Sequence, residues 1–193
     1  MKALFDQVTS GPWITSGDDV NYRIEFVGTD ATLLFEGTHD DFGWKMNFDF
    51  WVKAYKDQPI EWYAHRGFLT MWHSVRDEIM AKLKGATSIH IIGYSQGAAL
   101  ASLALEDVNF SYYSIPSLAD VFGSPRVFWC LPKEIEYRVR NISRWYVRGD
   151  LVTTVPWAFL GYQHVGMKHP VGPNKFPWWT HHRPVEYDTY LPV

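Results

Sequence analysis

Cysteine is almost missing: Cys130 stands alone among 193 residues. A single thiol excludes an internal disulfide framework and any zinc site built from several cysteines. No window approaches the roughly 20 consecutive apolar residues of a membrane-spanning helix. An excess of positive charge is absent too. The 18 Lys and Arg against 21 Asp and Glu leave a formal net charge of −3, with no dense basic patch. Nucleic acid is therefore not the expected partner. The chain holds no internal repeat, low-complexity tract or clear linker. The first residues, MKALFDQVTSGPWITSGDD, carry one lysine and a short apolar run broken by Asp6. They do not read as a secretion signal, and the expectation is a cytoplasmic protein, with release by lysis or another route left open.

What is present suffices for a core. Hydrophobic residues make up 47% and charged residues 20%, so the chain does not read as disordered. The length favours one domain over residues 1–193. Aromatics reach 17%, with ten tryptophans. Large rings can fill a small core or form an exposed surface for apolar ligands or lipid, and composition alone favours the core.

The stretch NYRIEFVGTDATLLFEG (21–37) reads as a hairpin. Ile24, Phe26 and Val27 lead into a Gly28–Thr29–Asp30 turn, and Thr32 to Phe35 return. Residues 38–60 read as irregular and rich in aromatics. Phe68, Trp72, Val75, Ile79 and Leu83 recur at three- and four-residue steps, which predicts a helix from about Leu69 to Leu83. Ser88 to Ile92 reads as a buried strand and Gln96 to Leu105 as a helix. Asp120 to Phe122 and Trp145 to Val147 read as short strands, and PVEYDTYL as a terminal turn or helix. This alternation predicts an α/β protein with a largely parallel sheet.

The stretch HIIGYSQGAALASLAL places Ser95 between Gly93 and Gly97, after a hydrophobic strand and before a helix. That is the context of a nucleophile elbow. Glycines let strand and helix approach closely while the bend takes strained dihedrals. The amide of Gln96 and the first helical turn would face any negative charge formed nearby. The plainer role is a helix N-cap serine. A nucleophilic hydroxyl needs a base, and the base an orienting acid. Asp150, in RWYVRGDLVTTVP, follows a strand and a glycine turn. Glu106, Asp107, Glu134 and Glu136 fall in helix-end or loop text, and Asp120 begins its strand instead of ending it. Four histidines follow Asp150: His164, His169, His181 and His182. Pattern alone does not choose among them.

Several blocks, in order, resemble the class 3 lipases: LLFEGT (33–38), DFGWKMNFDF, AHRGFLTMW (64–72), GYSQGAALA, VFGSPRV (121–127), RGDLVTTVP (148–156) and GYQHVG (161–166). The resemblance implies an α/β-hydrolase fold, with a central, mostly parallel sheet flanked by helices and Ser95 at the elbow. It implies a triad of Ser95, Asp150 and His182, because THHRPVEYDTYL is similar to the family's His-to-Tyr setting. His181 is the alternative base, and His164 falls in a structural block. Thr38 and Gln96 would supply the oxyanion-hole amides. A lid at about 39–58 would carry Phe42, Trp44, Phe48 and Trp51 against a fatty chain or lipid surface. Trp178 and Trp179 would wall the acyl site or shield the His–Asp hydrogen bond. Glu36, where an arginine is common, and Thr153 and Thr154 after the acid depart from the pattern. The implied activity is hydrolysis of lipid carboxylic esters, with neither metal nor organic cofactor. A short-chain carboxylesterase or phospholipase A1 on the same triad is the alternative, as is a catalytically silent acyl-ligand binder. The implied partner is a lipid or small-molecule ester, with transient contact to lipid surfaces.

Overall fold

The computed structural model describes residues 1–37 and 51–193. Apolar residues at alternate positions build a sheet with two buried faces. Its strands are β1 (Ile14–Ser16), β2 (Val20–Val27), β3 (Asp30–Phe35), β6 (Ser88–Tyr94), β7 (Ser117–Phe122), β9 (Ile142–Val147) and β11 (Met167–Val171). They lie in the order β1-β2-β3-β6-β7-β9-β11. The hairpin end is antiparallel, and every pairing from β3 to β11 is parallel.

Leu33, Phe35, Ile89, Ile91, Ala119 and Val121 face one core. Two helices cover that face, α2 (Arg66–Leu83) and α3 (Gln96–Ser111). Gly97, Ala98, Ala99, Ala101 and Ala104 are buried on α3, so it lies close over β6 and β7. Leu34, Ile92, Tyr94, Phe122 and Val147 face the opposite core, with Phe5, Val8, Tyr187 and Leu191. These last four lie on or beside the terminal helices α1 (Lys2–Thr9) and α5 (Pro184–Tyr190). The two chain ends thus pack together under the sheet.

Four short strands form a second, antiparallel sheet: β4 (Val52–Tyr55), β5 (Trp62–His65), β8 (Phe128–Trp129) and β10 (Tyr162–Gln163). The expectation of an irregular 38–60 is corrected by β4, which pairs with β5 and so gives part of the expected lid segment a place in this sheet. Strands of two to four residues are too short for a hydrophobic period to register. The helix α3 runs past the expected Leu105 to Ser111. Glu106 and Asp107 look like a polar helix end, yet both are fully buried. Asp107 accepts hydrogen bonds from Tyr55 Oη (2.5 Å), Trp72 Nε1 (2.6 Å) and Arg76 Nε (3.1 Å). Glu106 accepts from Gln58 Nε2 at 2.7 Å and pairs with Arg138 at 2.7 Å, on the short helix α4 (Lys133–Arg138). Burial pushes the Glu106 carboxyl up to about 7, against the pull of Arg138. Asp120 lies inside β7, not at its start, and bonds His90 and Trp145.

Candidate active site

Strand β6 ends at Tyr94, and the chain reverses at Ser95, whose φ is +57°. A Cβ on Gly93 would lie 2.3 Å from the Gly97 carbonyl oxygen, and one on Gly97 2.5 Å from that of Phe35. No side chain fits either place. The Ser95 amide donates to the Phe122 carbonyl at 2.9 Å, which pins the bend. Ser95 is 2% exposed, and its hydroxyl makes no cap bond to α3. It lies 2.7 Å from His182 Nε2 instead, so the plain N-cap role is not the one it plays.

His182 sits in a 3₁₀ turn, Trp179–His182, and its Nδ1 is 2.7 Å from Asp150 Oδ2. The carboxylate fixes the tautomer: Nδ1 carries the proton and donates, leaving Nε2 to accept from Ser95. Asp150 is 1% exposed. Its Oδ2 also accepts from the Tyr187 hydroxyl, and its Oδ1 from the Val152 amide at 2.9 Å. Burial holds the Tyr187 phenol well above its usual range, so it remains a donor. His181 turns elsewhere, its Nδ1 donating to the Gly149 carbonyl at 3.1 Å.

The loop carrying Asp150 is held from several sides. Thr153 Oγ1 donates to the Asp150 carbonyl at 2.8 Å, and Thr154 Oγ1 to that of Leu151 at 2.7 Å. Arg126 donates to the Thr154 and Pro156 carbonyls, the second at 3.0 Å. His164 Nε2 donates to the Thr153 carbonyl at 2.8 Å. Burial pushes His164 down to about 3, so it is a neutral prop. Glu36 is buried and accepts from Asn21 Nδ2 at 2.7 Å. Gln96 opens α3 with its side-chain amide turned to Met71 Sδ. Trp178 is 56% exposed, and its amide donates to the Gly149 carbonyl at 2.9 Å beside Asp150. Trp179 is half-buried. Trp51 is exposed, and its carbonyl accepts from the Arg66 amide at 2.8 Å. Thr38, Phe42, Trp44 and Phe48 lie outside the described residues. Among the described residues, no group of three or more His, Cys, Asp or Glu could hold a metal ion.

Sequence reasoning missed three residues here. Gly123, in VFGSPRV, has φ +59°, and a Cβ there would lie 2.8 Å from both His182 Cε1 and Tyr187 Oη. Arg126 in the same block braces the acid loop. Tyr94, the middle residue of the first Gly-to-Ser step, stacks on His182 with ring centroids 5.2 Å apart. The close spacing of glycine and arginine was a readable signal for the first two. Nothing local marked the third.

Residues 32–160 match the family model for class 3 lipases. The chain belongs to the class 3 lipase family. It is 28% identical over 163 residues to the secreted mono- and diacylglycerol lipase A of Penicillium cyclopium, covering 80% of this chain and 52% of that one. It is 34% identical over 119 residues to phospholipase A1-IIdelta of Arabidopsis thaliana, covering 54% and 28% respectively. Among solved structures, the Rhizomucor miehei triacylglyceride lipase superposes with a TM-score of 0.71 at 21% identity, over 82% of this chain and 64% of that one.

This class 3 lipase therefore has the α/β-hydrolase fold. It spans about half the length of the curated Penicillium relative it matches. The cytoplasmic expectation is corrected by the comparison, since that relative is named as secreted and points to an extracellular setting. The opening residues do not decide the compartment.

Proposed function

We propose that residues 1–193 act as one serine-hydrolase domain that cleaves carboxylic esters of lipids. The hydrogen-bonded line from Ser95 Oγ through His182 to Asp150, 2.7 Å at each link, carries the reading. Ser95 Oγ attacks the acyl carbonyl as its proton passes to His182 Nε2. Asp150, with Tyr187 on the same oxygen, stabilises the imidazolium. The imidazolium then protonates the departing alcohol. Water, deprotonated by the same nitrogen, releases the acid and frees Ser95. The Gln96 and Thr38 amides hold the oxyanion, each contributing about 3–4 kcal/mol to the barrier reduction.

Exposed rings in the two segments that bear the acid and the base support a lipidic substrate. Phe159 is 80% exposed, and Trp157 stacks on it after the acid loop. Phe176 is 83% exposed, just before Trp178 and the base. Aromatic surface of this kind fits acyl chains or a lipid surface. Trp51 and the residues at 42, 44 and 48 belong to the same reading, as walls or lid of the acyl site.

The name of the Arabidopsis relative favours phospholipase A1 as a second reading. Hydrolysis of p-nitrophenyl esters from acetyl to palmitoyl, wild type beside Ser95→Ala, tests the activity. Monoacylglycerol, diacylglycerol and phosphatidylcholine then separate the two head-group classes. Loss of turnover in Ser95→Ala and a preference for long chains are expected. Equal turnover by both proteins overturns the assignment.

A further inference from the structure

Tyr94 is joined to three parts of the site at once. It precedes Ser95 in the chain and is 6% exposed. Its ring lies nearly parallel to the His182 imidazole, 5.2 Å between centroids at 19°. Its hydroxyl donates to the His182 main-chain carbonyl. Edge contacts from Phe5 of α1 (5.3 Å) and Tyr187 of α5 (5.5 Å) fix the ring from behind. A Cβ on Gly37 would lie 2.8 Å from Tyr94 Cδ1, so the backbone just after β3 passes close against the same ring.

We infer that Tyr94 is the positioning residue for the catalytic base, holding the His182 ring in line with Ser95 by a face contact and a main-chain clamp. The inference rests on the triad reading above and adds to it. A histidine on a short 3₁₀ turn has two freedoms to lose, the position of its backbone and the rotation of its ring. The hydroxyl bond removes the first. The stack, with Asp150 on Nδ1, removes the second. The face contact also has an electronic effect. When His182 takes the Ser95 proton, its charge develops within about 6 Å of a ring face, where the ring quadrupole attracts a cation. The stabilisation appears as the charge forms, so it acts on kcat more than on binding.

Two substitutions separate the contributions. Tyr94→Phe keeps the stack and loses the clamp. Tyr94→Leu loses both. For Tyr94→Phe, kcat on a p-nitrophenyl ester is expected to fall roughly tenfold with KM unchanged, the scale of one ordinary hydrogen bond. Tyr94→Leu falls further, so phenylalanine rescues part of the loss. The far-downfield proton resonance of the His182–Asp150 hydrogen bond moves or broadens in the same order. A destabilised but correctly positioned site would lower Tm and leave that resonance in place. The inference is overturned by wild-type kcat and an unmoved resonance in folded Tyr94→Phe, and equally by a loss confined to KM. If Tyr94→Leu does not fold, Tyr94→Phe alone decides. Ser95→Ala is run in parallel. If it retains turnover, the hydrolase reading fails, and the resonance still judges whether Tyr94 positions His182.

Discussion

Two adjacent histidines, His181 and His182, differ only in what their rings reach. His182 lies between Ser95 and Asp150, while His181 bonds a main-chain oxygen at Gly149. His182→Ala is expected to reduce kcat by about 10⁴-fold or more, as removal of a triad base does, with His181→Ala within about tenfold of wild type. Ester turnover of the two purified variants checks this, and a reversed order would move the base by one residue. Consecutive residues on a 3₁₀ turn diverge by about 120°, so no period in the sequence chooses between them. Gly123 makes a second case. Its left-handed φ and the absence of room beside His182 and Tyr187 leave no place for a methyl. Gly123→Ala is expected to lower both Tm and kcat by displacing the base, read by thermal melts and by turnover at saturating ester. A variant with wild-type kcat would mean that the base has more freedom than the contacts imply. Ser95 and Asp150 were legible because each sits where a strand meets a turn, a local pattern. Tyr94 was not, because its partner stands 88 residues away.

Among the elements, the helix α3 and the acid loop divide the work of holding the site. The small residues of α3 bring the helix onto β6 and so place the first-turn amides beside Ser95. The loop after Asp150 buries Val152 and Val155, and side-chain donors tie down its carbonyls. It is held by hydrogen bonds from Thr153, Thr154, Arg126 and His164. Arg126→Met leaves carbonyls of that loop without their charged donor and is expected to cost about 2–4 kcal/mol of stability. Activity falls with it, because the loop carries the acid. Urea unfolding and kcat measured together check this, and full stability in the variant would remove Arg126 from the brace. The helix α2 was readable from its period, and α3 and the strands β3, β6, β7 and β9 from apolar runs bounded by turns, whereas the parallel edge strand β11 was not read. The small second sheet and the terminal helix α1 were not read either, since short strands lack a period and α1 gains its place by packing against α5, β6 and β3.

Across the whole molecule, a buried ionic network joins α3 to the small sheet, α2 and α4. Its most sensitive member is Glu106, held at about 7 by burial against an ordinary value of 4.5. The folded state therefore binds more protons than the unfolded state between those values. Stability falls as pH rises through that window, and the contribution is fully present only below the lower value. Glu106→Gln removes the titration. The variant's Tm relative to wild type is expected to rise from about pH 5 to about pH 8, measured by thermal melts followed by circular dichroism. A constant difference would place the Glu106 carboxyl near its ordinary value.

The amino-acid sequence by itself determined the strand–serine–helix elbow, the acid at the end of a strand, the parallel sheet and the family blocks. Each depends on neighbours within one or two turns of chain, where steric fit and hydrophobic period act. The family blocks pointed to His182 with His181 as the alternative, and the tertiary structure places His182 against Ser95 and Asp150. The tertiary structure alone decided what braces the loop after Asp150. It also decided that Glu106 and Asp107 are interior and that Tyr94 lies across His182. Those outcomes depend on contacts between segments far apart in the chain, brought together by burial of the two faces of one sheet. A local pattern carries no information about which distant side chain fills the space beside it.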